Sequence, residues 1–162
     1  KHPESVSLLQ DIEILLSKQR AGADFAITQV YFDNARYQGL LDAAATAGVN
    51  MPIIPGIMPV TSLRRLIRLC ELAGLAIPMD LASALENADS KAERHRVGVE
   101  YALRQCQDAL ESGASGLHFY TFNEHAAVLD VLEYLDIAPY TSRYETPLAG
   151  AESVPPSVPV SL

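Results

Sequence analysis

Apolar residues along the chain alternate between two spacings. Leu8, Ile12, Leu15 and Leu16 recur at the interval of a helical face, which ends before Ala21-Gly22. Phe25 to Phe32 is rich in β-branched and aromatic residues and predicts a strand. Tyr37, Leu40, Leu41 and Ala44 form the next helical face, with Gly48 as its expected cap. Pro52 to Ile57 predicts a short strand. Leu63, Leu66, Ile67 and Cys70 follow on one helical face broken at Gly74, and a turn at Ile77-Pro78 leads into a shorter helix near Leu81 to Leu85. The longest helix is expected from Lys91 to Leu110, with Val99, Leu103, Cys106 and Leu110 inward and Gly113 at its end. Gly116 to Thr121 reads as a third strand, and Val128, Leu132 and Leu135 mark a last helix. Beyond Tyr140 periodicity stops, and SVPPSVPVSL has the composition of a loose tail. The expected division is therefore 1–140 and a tail at 141–162.

Strands that alternate with helices imply parallel pairing through right-handed crossovers, hence an α/β fold. Three strands fall short of a closed barrel, which takes eight strands and about 250 residues. The first helix also lacks a preceding strand. Two architectures fit: a small open sheet, or the last three strands of a barrel.

Composition narrows the function classes. Of 162 residues, 49% are hydrophobic and 20% charged, as in a globular protein. A net charge of −8 argues against a nucleic-acid partner, whose phosphates require a basic face. No apolar run reaches the ~18 residues of a membrane span. KHPES lacks both a signal pattern and an initiator methionine, so a cytoplasmic chain, processed or part of a longer product, is expected. Cys70 and Cys106 lie far apart within helical patterns and read as buried free thiols rather than a disulfide or metal site.

Four segments carry a resemblance: HPES at the start, AGADFAITQVYFD at 21–33, PIIPGIMPV at 52–60 and GLHFYTFN at 116–123. In this order and spacing they resemble the second half of methylenetetrahydrofolate reductases, from His2 to about Ile137. Arg96, Gly98 (one residue out of step) and Ala102 add to the match. The resemblance implies a (β/α)₈ TIM barrel of which this chain supplies strands six to eight. It also implies FAD as cofactor, NADH or NADPH as co-substrate, and reduction of 5,10-methylenetetrahydrofolate to 5-methyltetrahydrofolate. The family's catalytic glutamate and flavin-tuning aspartate belong to strands one to five, so no catalytic residue is assigned here.

Carried over position by position, the resemblance assigns His2, Ser5, Asp11, Ile14, Ser17 and Lys18 to FAD. A carboxylate such as Asp11 accepts from ribityl hydroxyls, and an ammonium such as Lys18 meets phosphate charge; the two lie two helical turns apart on nearly one face. A solvated helix face is the plain alternative. Gln29 is matched to the folate-contacting glutamine of an ITQ motif, its planar amide suiting a pterin edge. Tyr120 matches a substrate-lining tyrosine. Arg65, Leu69 and Glu124 fall on further substrate positions where this sequence departs from the bacterial pattern: Glu124 reverses a charge expected to attract the anionic substrate, Arg65 remains able to reach a glutamate tail, and Leu69 replaces an aromatic.

Strand parity sets His118 and Tyr120 opposite Leu117 and Phe119, the hydrophobes toward the helices and the polar pair inward. His95, within KAERHR, is expected to be simply exposed. A Schiff-base aldolase or phosphate-binding synthase would want a lysine at a strand end, whereas Lys1, Lys18 and Lys91 are terminal or helical. A second alternative is a catalytically incomplete fragment serving as an assembly or interaction module. An open barrel seam would expose strand edges, so a homo-oligomer or a complementing N-terminal half-barrel is the expected partner.

Overall fold

The computed structural model describes residues 8–135; His2, Ser5 and the expected tail at 141–162 lie outside them. The elements run α1 (Leu8–Arg20), β1 (Ala26–Val30), α2 (Asn34–Thr46), β2 (Ile53–Ile57), α3 (Leu63–Ala73), α4 (Met79–Asn87), α5 (Lys91–Glu111), β3 (His118–Phe119) and α6 (Ala126–Tyr134). The three strands form one parallel sheet in the order β1-β2-β3. Every helix and strand expected from periodicity is present, though the strands are shorter. Phe25 and Phe32 fall outside β1, and β3 is confined to the two residues that face Gly56 and Ile57 of β2.

Helix ends follow local chemistry. Asp33 caps α2 by accepting from the Ala35 N–H at 3.1 Å, and Ser90 caps α5 by accepting from Glu93 at 3.0 Å. Gly74 closes α3 in the left-handed region, with φ of 63°, where an L side chain would be strained.

Burial is divided among three clusters. One joins α1 and α2 to the sheet through Ile12, Tyr31, Tyr37, Ala44 and Ile53. A second packs α3 and α4 against the strand ends through Val30, Met58, Val60, Leu66 and Leu81. The third seats α5 and α6 on Ile57 through Val99, Ala102, Cys106 and Val131.

The inward face of α5 differs from the expected one. Ala102, Gln105, Cys106 and Ala109 are buried, Leu103 is only half-buried and Leu110 is 41% exposed. The helix approaches its neighbours closely at one point. Gly98 shows how close: a Cβ on it would stand 2.4 Å from the Val60 carbonyl oxygen. At the N-terminal end, Leu8 is exposed rather than part of the α1 stripe. Both cysteines are free and buried. No helix among the described residues is long and apolar enough to cross a membrane.

Candidate functional site

The C-terminal ends of parallel strands collect the loops that face ligands in α/β proteins. Here β1 ends at Gln29-Val30, β2 at Gly56-Ile57 and β3 at Phe119, with Tyr120 just beyond. One group of side chains flanks β1 along its whole length, and a second sits over the strand ends.

The first surrounds a cavity of about 390 Å³ between α1, β1 and α2. Asp11, Ile14 and Lys18 line it from α1 and Gln29 from β1. Arg36, which sequence reasoning did not single out, adds a cation from α2. The wall is largely apolar, with Leu8, Leu15, Ile27 and Leu40. Tyr31 and Tyr37 stack at 5.4 Å beside it, and the Tyr37 hydroxyl donates to the Ile53 carbonyl at 2.8 Å. Burial pushes the hydroxyl of Tyr31, and likewise that of Tyr37, above the usual tyrosine range. Both stay neutral. Ser17 is exposed and does not line this cavity.

The second group sits over the ends of β2 and β3. The Tyr120 hydroxyl donates to the Thr28 carbonyl at 3.0 Å, and its ring stands edge-on to His118 with centroids 4.7 Å apart. A Cβ on Gly56 would come within 2.6 Å of that ring. Leu117 and Phe119 pack instead against the helix-side clusters, so the parity expected for β3 holds. Leu69 is half-buried against the α3–α4 cluster that Tyr120 also touches.

Arg65 and Glu124 meet in a two-pronged ion pair, at 2.5 and 2.6 Å. The bonds from Arg65 hold the Glu124 carboxyl below its usual range, and those to Glu124 raise the guanidinium. The reversed charge at Glu124 is thus answered within the chain, and the Arg65 fork expected to be open to a ligand is engaged. Nothing in the sequence signals this pairing. His95 also departs from expectation: it is partly buried, with Nε2 2.6 Å from Asp130 of α6.

The barrel reading expects Gln29, the Pro55-Gly56 turn and Tyr120 to line one common cavity, and the structure corrects this: Pro55, Gly56 and Tyr120 do not line the cavity that Gln29 lines. The two groups join through the Thr28-Gln29 backbone, since the Cβ site of Gly56 is 2.5 Å from the Thr28 oxygen and 3.4 Å from the Gln29 carbonyl carbon. No group of three or more metal-ligating side chains occurs among the described residues.

A parallel α/β sheet with polar groups near its strand ends is the arrangement in which α/β proteins place their ligand sites. A family model of methylenetetrahydrofolate reductase matches residues 1–136, and the chain belongs to that family. Methylenetetrahydrofolate reductase 2 of Saccharomyces cerevisiae is 37% identical over 153 residues, spanning 91% of this chain and 26% of the relative. The 5,10-methylenetetrahydrofolate reductase of Escherichia coli is 32% identical over 139 residues, spanning 85% of this chain and 47% of the relative. The chain therefore spans about half the length of its bacterial relatives and about a quarter of the yeast one. Among solved structures, an uncharacterized protein from Clostridium thermocellum, described as binding two copies of 5-methyl-5,6,7,8-tetrahydrofolic acid, superposes with a TM-score of 0.53 at 17% identity. That match covers 78% of this chain and 49% of the other, and shows a shared fold.

Proposed function

We propose that this chain forms the C-terminal part of a (β/α)₈ barrel that reduces 5,10-methylenetetrahydrofolate to 5-methyltetrahydrofolate at the expense of NADH or NADPH, with FAD as cofactor, in the cytoplasm. The observation that carries the reading is the convergence of Asp11, Ile14, Lys18 and Gln29 on one cavity, within a chain of this family. The outer edge of β1 is unpaired among the described residues, and the barrel's earlier strands would continue the sheet there.

The donor set fits a flavin dinucleotide. A carboxylate, an ammonium and an apolar wall line the same space, matching hydroxyl, phosphate and ring surfaces in turn. Asp11 and Lys18 would hold the cofactor, with Ile14 against its apolar part. His2, Ser5 and Ser17 belong to the same proposal. When bound, the flavin supplies hydride transfer. Gln29 orients the pterin edge through its amide, Tyr120 closes the strand-end side, and Leu69 offers apolar contact. Arg65 reaches the substrate's glutamate tail only by exchanging it for Glu124.

The test is direct. The full polypeptide that contains this chain is purified, its intact mass and flavin spectrum are recorded, and 5-methyltetrahydrofolate formation is followed with each nicotinamide. Bound flavin that is lost in Asp11→Ala, and product formation that falls in Gln29→Ala with flavin retained, support the reading. A colourless, inactive but folded protein would refute it.

A further inference from the structure

The register of β1 against β2 contains an irregularity beside Gln29. Ile27 lies opposite Ile54 and Val30 opposite Gly56, so three steps along β1 match two along β2. One extra residue is accommodated at Thr28-Gln29. Such bulges bend a strand and re-aim its side chains. They need something to take up the displaced main-chain groups.

Thr28 does this with its own atoms. Its hydroxyl accepts from the Gly56 N–H at 2.9 Å and donates to the Gln29 carbonyl at 2.8 Å. Its carbonyl accepts from the Tyr120 hydroxyl at 3.0 Å. A hydroxyl has a single hydrogen to donate, and here Gln29 takes it. The Thr28 side chain is left without a donor for a ligand, while the residue binds the peptide of Gln29 on one side and seats Tyr120 through its carbonyl on the other. Gly56 is part of the arrangement, because the Thr28 oxygen and the Tyr120 ring occupy the space its Cβ would need.

The geometry points to Thr28 as a positioning residue for folate recognition, its hydroxyl locking the bulge that presents Gln29. This inference rests on the folate reading above. Valine preserves the shape of threonine and removes both hydroxyl bonds; serine keeps both. The prediction separates the two.

The test uses the flavin-loaded full polypeptide and 5-methyltetrahydrofolate as probe. Thr28→Val should weaken binding about tenfold, the combined effect of losing one exposed and one part-buried hydrogen bond, with flavin content unchanged. Thr28→Ser should bind within about twofold of the parent by retaining both bonds. Thr28→Val combined with Gln29→Ala should bind no worse than Gln29→Ala alone, since a residue acting through Gln29 adds nothing once it is gone. A merely structural threonine would give additive losses in that cycle and overturn the proposal. So would Thr28→Val binding like the parent, or Thr28→Ser failing as badly as valine. If Thr28→Val does not fold, Thr28→Ala is read by the same criteria. Unchanged binding in Gln29→Ala would remove the folate reading and this inference with it, whereas weakened binding there beside an intact Thr28→Val would remove this inference alone.

Discussion

Arg65, in the first turn of α3, and Glu124, in the loop between β3 and α6, are 59 residues apart and close on each other with both prongs of the guanidinium. The pair ties together the loops that follow two neighbouring strands. It also opposes an incoming carboxylate, because Glu124 already fills the fork.

Replacing Glu124 with glutamine should therefore tighten binding of carboxylate-tailed folates by a few-fold, and added salt should shrink the gain. The pH dependence has a definite sign. The Glu124 carboxyl is depressed in the folded state by its bonds to Arg65, so the pair's stabilisation is present above the unfolded carboxylate range and lost as pH falls through the lower folded value. Melting temperatures across an acid titration should show the parent and Glu124→Gln differing near neutrality and converging at the acid end.

Gly98 and Gly39 provide a matched contrast on two helices. A methyl on Gly98 would press into the Val60 backbone at 2.4 Å, whereas one on Gly39 meets nothing within 4 Å. Gly98→Ala should cost about 1–3 kcal/mol of stability through overpacking. Gly39→Ala should stabilise by up to about 1 kcal/mol through helix propensity. Urea denaturation of both variants checks the signs.

Gln19, near the end of α1, holds the turn before β2 from three directions. Its amide nitrogen donates to the Gly48 carbonyl at 3.1 Å, and its oxygen accepts from the N–H groups of Asn50 and Met51 at 2.6 and 2.9 Å. Gln19→Ala should cost about 1–2 kcal/mol, less than three full bonds because the site is open to water. Hydrogen exchange at Asn50 and Met51 should accelerate most.

The thiols should be silent in the native protein. Burial pushes Cys106 up to about 12 and raises Cys70 as well, so thiolate is scarce at neutral pH. A thiol reagent near neutrality should modify neither until denaturant is added, and both thereafter.

Much of the fold was legible because hydrophobic periodicity and glycine stops report directly on local structure. Gly74 and Gly113 end α3 and α5 where the pattern breaks. The misreadings arise where packing distance, not polarity, decides. Ala109 is buried and Leu110 exposed, an ordering that residue polarity alone does not give. At the site, Asp11, Lys18 and Gln29 could be nominated from the resemblance to the family, position by position, and all three line one cavity. The Arg65–Glu124 pair, the His95–Asp130 contact and the bonds of Thr28 to Gly56 and Tyr120 join residues far apart in sequence. A one-dimensional pattern carries no trace of those.

Thr28 and Tyr120, bonded across 92 positions of chain, also bear on engineering. Transplanting the glutamine or the tyrosine singly into another scaffold would deliver a side chain without its jig. The smallest transferable piece is a noncontiguous quartet, Thr28, Gln29, Gly56 and Tyr120. A swap of any one strand between homologues should succeed only when the incoming strand is compatible with the remaining members of that quartet.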